Sequence, residues 1–370
     1  MSFYQKYLEI EKIDFESIVS KTKESDIKNI LNKNKLDYQD FIALLSPAAD
    51  SYLEEMAHKA HQLTIKNFGP VLILYMPLYL SNYCINHCTY CGFSVDNQME
   101  RKKLGPEEIK NEAEAIFNKG VRDVVVLTGE SRKDTPVEYI EQAVDILKDY
   151  FPALSVEIYP LEIKEYERLI NRGIDGLTIY QEVYDRDKYQ EAHPAGPKRD
   201  YRFRLEAPER GCEAGMRRVN IGPLLGLNNW RREVFSAGMH AKYLQDNYLD
   251  TEISLSFSRL RPHQGNFEIE NPVRDKDLVQ AMLASRLFLP QIGINLSTRE
   301  KAELRDNLIP LGVTRISAES STVVGGYEQS HKAQQFEISD KRSIEEIREV
   351  LKQKGYQLVF KDWHWINETQ

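Results

Sequence analysis

Three of the four cysteines of this chain stand together in Cys84-Ile-Asn-His-Cys88-Thr-Tyr-Cys91. A gap of three residues and then of two lets three thiolates converge on one metal centre from a single loop. A 4Fe-4S cubane held by three thiolates keeps one iron without a protein ligand. That iron can chelate the amino and carboxylate groups of a small molecule, so the missing fourth cysteine is informative. Cysteines this few and this clustered make a poor disulfide framework and a good metal site for a reducing compartment. The competing chemistry is a zinc ion completed by His87 in a zinc-binding scaffold, although zinc ligands usually come as two spaced pairs. His87 is expected to be a loop residue or a donor behind the metal ligands. Cys212 stands alone and is expected to be a structural thiol.

A loop that presents three thiolates needs rigid elements around it. The apolar run at 71–75 precedes the loop, and seven more short, β-branched runs follow at 123–127, 154–158, 176–180, 216–221, 252–257, 292–296 and 313–317. Helix-length segments lie between them at 106–119, 136–150, 161–172, 229–248, 276–289 and 299–309. Such alternation belongs to a parallel sheet with crossover helices. Eight units predict a (β/α)8 TIM-type barrel, an α/β fold whose active site lies at the C-terminal ends of the strands. An open doubly wound sheet is the alternative; the closed barrel is preferred because every strand end carries polar residues. Residues 1–70, where Ile27, Ile30 and Leu31 share a face, predict an N-terminal helical cap. The barrel is expected over 71–320 and a C-terminal extension over 321–370, with a capped helix at Ser343-Ile-Glu-Glu346 and an aromatic end at Lys361-Asp-Trp-His-Trp365. Thr135-Pro136-Val137-Glu138 predicts a capping box with proline at the first helical position.

The strand ends carry the other candidate groups. The second run ends in Thr128, Gly129 and Glu130, the third in Glu157 and Tyr159, the fourth in Gln181 and Glu182, and the fifth in Asn220 with Gly222 just beyond. The last three carry Arg259 and Arg261, Arg299, and Ser317. A guanidinium is a planar fork for a carboxylate, so Arg299 with Ser317 is expected to anchor an anion or amino acid. Arg259 and Arg261 fit equally well as ties between barrel loops.

Whole-chain properties narrow the function classes. With 41% apolar and 29% charged residues the 370-residue chain reads as folded throughout. A formal net charge of -8 argues against a general affinity for nucleic acid or anionic membranes. No apolar stretch approaches the roughly 18 residues of a membrane span, and residues 1–12 lack the basic start and apolar run of a signal peptide. A cytoplasmic location is expected.

The cysteine spacing, with Tyr90 before the last cysteine, resembles the signature of the radical S-adenosylmethionine superfamily. That resemblance implies one 4Fe-4S cluster on Cys84, Cys88 and Cys91 and S-adenosylmethionine as second cofactor, cleaved to a 5′-deoxyadenosyl radical. Thr128-Gly129-Glu130 falls where the superfamily has a glycine-glycine-glutamate motif for the methionine amino group, with Thr128 in place of one glycine. Glycine permits close backbone approach, and a carboxylate accepts from an ammonium. In resembling enzymes the regions of Glu157, Tyr159, Glu182 and Gly222 bind the ribose and adenine, and an arginine, here Arg204, is available for the cofactor carboxylate.

Nearer still, the chain resembles the 2-iminoacetate synthases, the tyrosine lyases of thiazole biosynthesis. The matching pieces run in order along it: Leu44-Leu-Ser-Pro-Ala48, Pro77-Leu-Tyr-Leu-Ser-Asn82 with the cysteines, Thr128-Gly-Glu130, Tyr180-Gln-Glu182, Leu205-Glu-Ala-Pro208, Arg259-Leu-Arg-Pro262, Leu296-Ser-Thr-Arg-Glu300, Gly325-Gly-Tyr327 and Lys361-Asp-Trp363. This resemblance implies cleavage of L-tyrosine between Cα and Cβ to p-cresol and 2-iminoacetate. The adenosyl radical would take a hydrogen from the substrate amine, and the product radical would fragment to iminoacetate and a 4-oxidobenzyl radical. Arg299 and Ser317 would hold the carboxylate. A flavodoxin or ferredoxin electron donor and delivery to thiazole synthase are also implied. The FeFe-hydrogenase maturase that lyses tyrosine is the nearest alternative; it carries a second cluster on a cysteine-rich C-terminal domain, whereas no cysteine follows Cys212 here.

Overall fold

Residues 2–261, 269, 271–328 and 335–360 are described, in a computed structural model. Pro262 and the aromatic end at Lys361, Trp363 and Trp365 lie outside the described residues. Five α-helices open the chain: Phe3–Ile10, Phe15–Lys21, Glu24–Leu31, Tyr38–Leu45 and Leu53–Phe68. Tyr38–Leu45 is capped by Asp37, whose side chain accepts from the amides of Gln39 and Asp40. This helix is buried from Asp40 to Leu45. Phe41 stacks on Phe288 with ring centroids 4.5 Å apart, and Gln280 Nε2 donates to the Leu44 and Ser46 carbonyls at 2.9 and 2.8 Å. The fifth helix stops at Gly69, whose φ of 75° a side chain would resist.

Eight parallel strands follow: β1 (Val71–Ser81), β2 (Asp123–Thr128), β3 (Ala153–Glu157), β4 (Gly176–Thr178), β5 (Arg218–Ile221), β6 (Glu252–Ser256), β7 (Gly293–Leu296) and β8 (Arg315–Ser317). Each pairs with the next, and β8 pairs back onto β1, from Ile73↔Arg315 to Tyr75↔Ser317. The sheet is therefore a closed (β/α)8 barrel, as the alternation of runs predicted. Helices Pro106–Asn118, Val137–Leu147, Ile163–Arg172, Ala207–Glu213, Trp230–Asn247, Asp275–Phe288 and Ala302–Leu308 occupy the crossovers.

Strand β1 shows how the two faces divide. Leu72, Leu74, Met76 and Leu78 are fully buried, each worth about 1.5–3 kcal/mol against exposure. The intervening Tyr75, Pro77 and Tyr79 line a cavity inside the barrel. At the N-terminal end the lumen is plugged by charge. Arg218 donates to Asp123 at 2.7 Å and Asp175 at 2.6 Å, and Arg315 also reaches Asp123. Removing one member of such a buried set costs about 3–5 kcal/mol.

Beyond the barrel, Ile344–Gln353 is a helix with the expected capping box: Ser343 Oγ accepts from the Glu346 amide at 3.2 Å, and Glu346 accepts from the Ser343 amide at 2.7 Å. A ninth strand, β9 (Gln357–Val359), pairs with the start of β1. Ile73 is matched to both Arg315 and Val359, so β9 lies on the edge that β2 occupies higher up. Two expectations are corrected. The box at Thr135 does not form, because Pro136 is itself the extended N-cap of Val137–Leu147 and Thr135 Oγ1 donates to the Ser131 carbonyl at 2.9 Å. The helix expected from 299 begins at Ala302, which leaves Arg299 and Glu300 in the loop above β7. Among the described residues no helix is long and apolar enough to cross a membrane.

Candidate active site

The cysteine loop leaves the C-terminal end of β1 and is held by backbone-directed donors. Arg101 donates to the carbonyls of Asn82, Phe93 and Ser94 at 2.7, 2.9 and 2.7 Å. Asn82, itself buried, donates to the Glu100 carbonyl at 2.8 Å and accepts from the Lys102 amide at 2.7 Å. Across from it, the amides of His87 and Thr89 donate to the carbonyls of Ala195 and Ala192. Seven carbonyls and amides thus fix a segment that has no regular structure of its own.

All three thiols in this loop are free of disulfides. Burial pushes up the pKa of each, and their mutual charge repulsion adds to it at Cys88 and Cys91. Three soft sulfurs close enough to feel one another are a fitting donor set for an iron-sulfur cluster. Among the described residues no three His, Cys, Asp or Glu side chains are arranged to hold a single metal ion. Ligands of a cubane bind different irons and stand farther apart than ligands of one ion. His87 is turned to Asp96, with Nδ1 2.9 and 3.0 Å from its two carboxylate oxygens. Gln335, from the C-terminal extension, donates to Cys91 Sγ at 3.8 Å and accepts from the Tyr79 hydroxyl at 2.8 Å.

Behind the loop lies a buried charge network. Gly129 brings β2 against it: a Cβ there would stand 2.3 Å from the Tyr83 carbonyl oxygen, so only glycine fits. Glu130 then accepts from Arg204 at 2.7 Å and from Asn86 Nδ2 at 2.8 Å. Burial raises its pKa, but Arg204, Lys198 and these hydrogen bonds outweigh burial and hold the carboxyl below the usual range. Arg204 also donates to the Tyr180 carbonyl at 2.7 Å, and so is committed to the protein on two sides. Lys198 reaches Glu182 at 2.8 Å, while its amide donates to Asn86 Oδ1 at 2.8 Å. Glu182 occupies the left-handed region with φ 69°, a strained conformation for a side-chain-bearing residue. Pairing with Pro223 and a hydrogen bond from the Leu224 amide hold it there.

Tyr90 is buried beside this network. Its hydroxyl is 2.8 Å from His193 Nε2, and His193 Nδ1 is 2.8 Å from the Tyr189 carbonyl. A carbonyl only accepts, so Nδ1 carries the proton and Nε2 accepts from Tyr90. Burial holds the His193 pKa well below its usual value, in keeping with a neutral ring.

Two cavities meet at the C-terminal mouth of the barrel. The outer one is lined by Tyr90, Cys91, Glu182 and Lys198, with Pro223 and Leu224 opposite. The inner one runs into the lumen past Ser317, Asn295 and Arg315. They share Glu157, Tyr180, Ser258, Arg299, Gln335 and Phe336, and so adjoin one another at a waist formed by these side chains. Glu157 sits at that waist with its pKa pushed up to about 7, first by burial and then by Glu182, against the lowering charges of Arg299, Lys198 and Arg204. The Arg299 guanidinium lies over the Phe336 ring at 3.4 Å. Ser317 Oγ accepts from the Thr298 amide at 3.2 Å.

Cys91, Tyr90, Glu157, Glu182, Arg299 and Ser317 line these cavities, while Cys84 and Cys88 stand in the loop and Glu130 and Arg204 in the charge network behind it. Thr128 is half-buried at the end of β2, with its hydroxyl unpaired. Gly222 brings β5 against β6, where a Cβ would meet the Ser256 carbonyl at 2.1 Å. Tyr159 is placed elsewhere: its hydroxyl donates to the Thr135 carbonyl at 2.6 Å, and it lines neither cavity. Arg259 ties loops together through Glu300, Asp275 and the Val273 carbonyl. Lys198, Asn86, His193, Gln335 and Phe336 were not singled out from the sequence. Asn86 lies within the cysteine loop itself; only the fold brings the other four to the site.

Residues 78–236 match the family described as the Radical SAM superfamily, and residues 256–357 match the Biotin and Thiamin Synthesis associated domain. The chain is 40% identical over 341 residues to the 2-iminoacetate synthase of Escherichia coli (strain K12), covering 92% of this chain and 90% of that protein. It is 38% identical over 371 residues to the 2-iminoacetate synthase of Salmonella typhimurium, covering 100% of this chain and 98% of that protein. Among solved structures, the FeFe-hydrogenase maturase HydG from Carboxydothermus hydrogenoformans superposes with a TM-score of 0.89 at 32% identity, over 97% of this chain and 85% of that one.

Proposed function

The chain belongs to the 2-iminoacetate synthase family of radical S-adenosylmethionine enzymes, and from that premise we propose that it cleaves the Cα–Cβ bond of L-tyrosine to 2-iminoacetate and p-cresol. In the same turnover S-adenosylmethionine becomes 5′-deoxyadenosine and methionine. The observation that carries the reading is the adjacency of the two cavities: the one flanked by Cys91 shares Glu157 and Arg299 with the one that holds Ser317.

Cys84, Cys88 and Cys91 would hold one 4Fe-4S cluster, which with bound S-adenosylmethionine would supply a hydrogen-abstracting 5′-deoxyadenosyl radical. Glu130 would offer its carboxylate to the cofactor ammonium. Arg204, already committed to Glu130, acts by fixing that carboxylate, while Lys198 and Glu182 face the outer cavity directly. Tyr90, Glu157 and Gly222 complete the cofactor side. Arg299 and Ser317 clamp the tyrosine carboxylate so that its amine faces the outer cavity. Such positioning decides which hydrogen is within reach, and an error of about an ångström costs on the order of a hundredfold in rate. Residues 71–320 form the catalytic barrel in this reading, with 1–70 and 321–370 as extensions. A flavodoxin or ferredoxin supplies the electron, and thiazole synthase receives the product. The maturase-type alternative has the weaker support, at 32% identity against 40%.

The test combines anaerobically reconstituted protein, a reductant, S-adenosylmethionine and L-tyrosine. The expected result is p-cresol and 5′-deoxyadenosine in comparable amounts. Deoxyadenosine without p-cresol would remove tyrosine as the substrate.

A further inference from the structure

The inner cavity has a second polar level beneath its mouth, and that level holds two unpaired groups of opposite sense. Asn295 on β7 and Arg315 on β8 both line the cavity and are direct cross-strand partners. Asn295 Oδ1 is buried and accepts no hydrogen bond; its Nδ2 lies 3.4 Å from Ser254 Oγ. Arg315 Nε is buried and donates to nothing, while the far end of the guanidinium is occupied by Asp123. Buried polar atoms are nearly always paired, so an acceptor and a donor left open side by side call for a ligand that is both. A hydroxyl is such a group.

The level of the pair also fits. Ser317 stands two residues beyond Arg315 along β8, a rise of about 6–7 Å toward the mouth. That is comparable with the length of a tyrosine side chain from Cα to its oxygen. Tyr75, Val125, Leu127 and Leu177 also line this cavity and offer apolar surface to a ring, beside the polar Ser155, Thr178 and Ser254.

We infer that Asn295 and Arg315 form a hydroxyl subsite: the phenol O–H donates to Asn295 Oδ1 while its oxygen accepts from Arg315 Nε. This inference rests on the tyrosine-lyase reading and adds to it the residues that select a hydroxylated ring. Neighbouring Asn220 is already satisfied, since it donates to Ser256 Oγ at 3.0 Å and accepts from Ser254 Oγ at 3.1 Å. The remaining unpaired atoms on this wall, Arg218 Nε at the floor and Ser320 Oγ above β8, are not cross-strand neighbours of the pair.

The test measures equilibrium binding of L-tyrosine, L-phenylalanine and O-methyl-L-tyrosine by calorimetry, on reconstituted protein with S-adenosylmethionine and no reductant. A site built around a hydroxyl rejects the analogue that lacks it, so the parent is expected to favour tyrosine over phenylalanine by at least about 100-fold. Asn295→Leu is expected to bring that ratio below about tenfold by losing tyrosine, with phenylalanine affinity held within about threefold. Equal loss of both amino acids, or an unchanged ratio, would overturn the subsite. The parent alone keeps the inference testable should Asn295→Leu not fold: O-methyl-L-tyrosine cannot donate, and binding as tight as that of tyrosine would also overturn it. A parent that discriminates in this way yet makes no p-cresol would sink the lyase reading and leave the subsite standing. One that makes p-cresol without discriminating would do the reverse.

Discussion

Arg299 rests on Phe336 and pairs with no carboxylate among the described residues, so its N–H groups remain for a ligand at the waist between the two cavities. A hydrogen bond to a charged group is worth about 1.5–3 kcal/mol, so Arg299→Ala should weaken tyrosine binding by roughly 10- to 150-fold. S-adenosylmethionine affinity should change less than tyrosine affinity, because Arg299 only borders the outer cavity and the groups assigned to the cofactor are other residues. Equal tyrosine affinity in the variant would rule out the anchoring role. Glu157 makes a pH prediction. Its pKa is raised in the folded protein to about 7 from an ordinary 4.5, so between those values the folded state binds the extra proton. The stability it contributes is complete below pH 4.5 and lost as pH rises through about 7, by at most roughly 3.4 kcal/mol. Denaturant midpoints of ligand-free protein at pH 5 and pH 8 should therefore fall more steeply in the parent than in Glu157→Gln. The same slope in both would show that Glu157 is ionised throughout.

At the scale of elements, the cysteine loop works because β2 comes close enough to brace it. In Gly129→Ala the new methyl would meet the Tyr83 backbone at 2.3 Å, and the loop would have to move. Iron bound after reconstitution should fall to less than half of the parent value. Gly105→Ala, where the nearest atom is 3.8 Å away, should leave it unchanged. Full iron in Gly129→Ala would mean that the loop is not braced as described. This part of the site was legible because its signal is local: three cysteines in one loop after one strand, then a glycine and an acid at the end of the next. Its partners were not. Asn86 reaches the Lys198 amide across 112 residues, and Gln335 reaches Cys91 across 244. No spacing rule connects positions that only barrel closure brings together. Tyr159 is a related case: it lies two residues past the end of β3, and its phenol is tied to the Thr135 carbonyl.

At the scale of the whole molecule, barrel closure and the C-terminal extension are coupled through buried charge. The eight runs were enough to predict the barrel, because short β-branched runs alternating with helix-length segments are the pattern of a parallel sheet with crossover helices. Its ionic ties were not readable, since Asp123, Arg218 and Arg315 look like surface charges until the register puts them in one layer. Arg305 and Asp340 form a fully buried ion pair, and Arg305 also donates to the Ser317 carbonyl. Asp340→Ala would leave Arg305 buried without its charge partner, at a cost of about 3–5 kcal/mol. Asp306→Ala, which removes a partly exposed partner of Arg342, should cost less than about 1 kcal/mol. Chemical denaturation of both variants checks the difference, and equal losses would mean that the extension is not locked through Asp340. The most direct measurement of all concerns the three sulfurs. Iron content and p-cresol formation should be compared between the reconstituted parent and Cys84→Ala, Cys88→Ala and Cys91→Ala. The parent should hold about four irons per chain and make p-cresol, while each variant makes none. Undiminished p-cresol from any of the three would contradict the account.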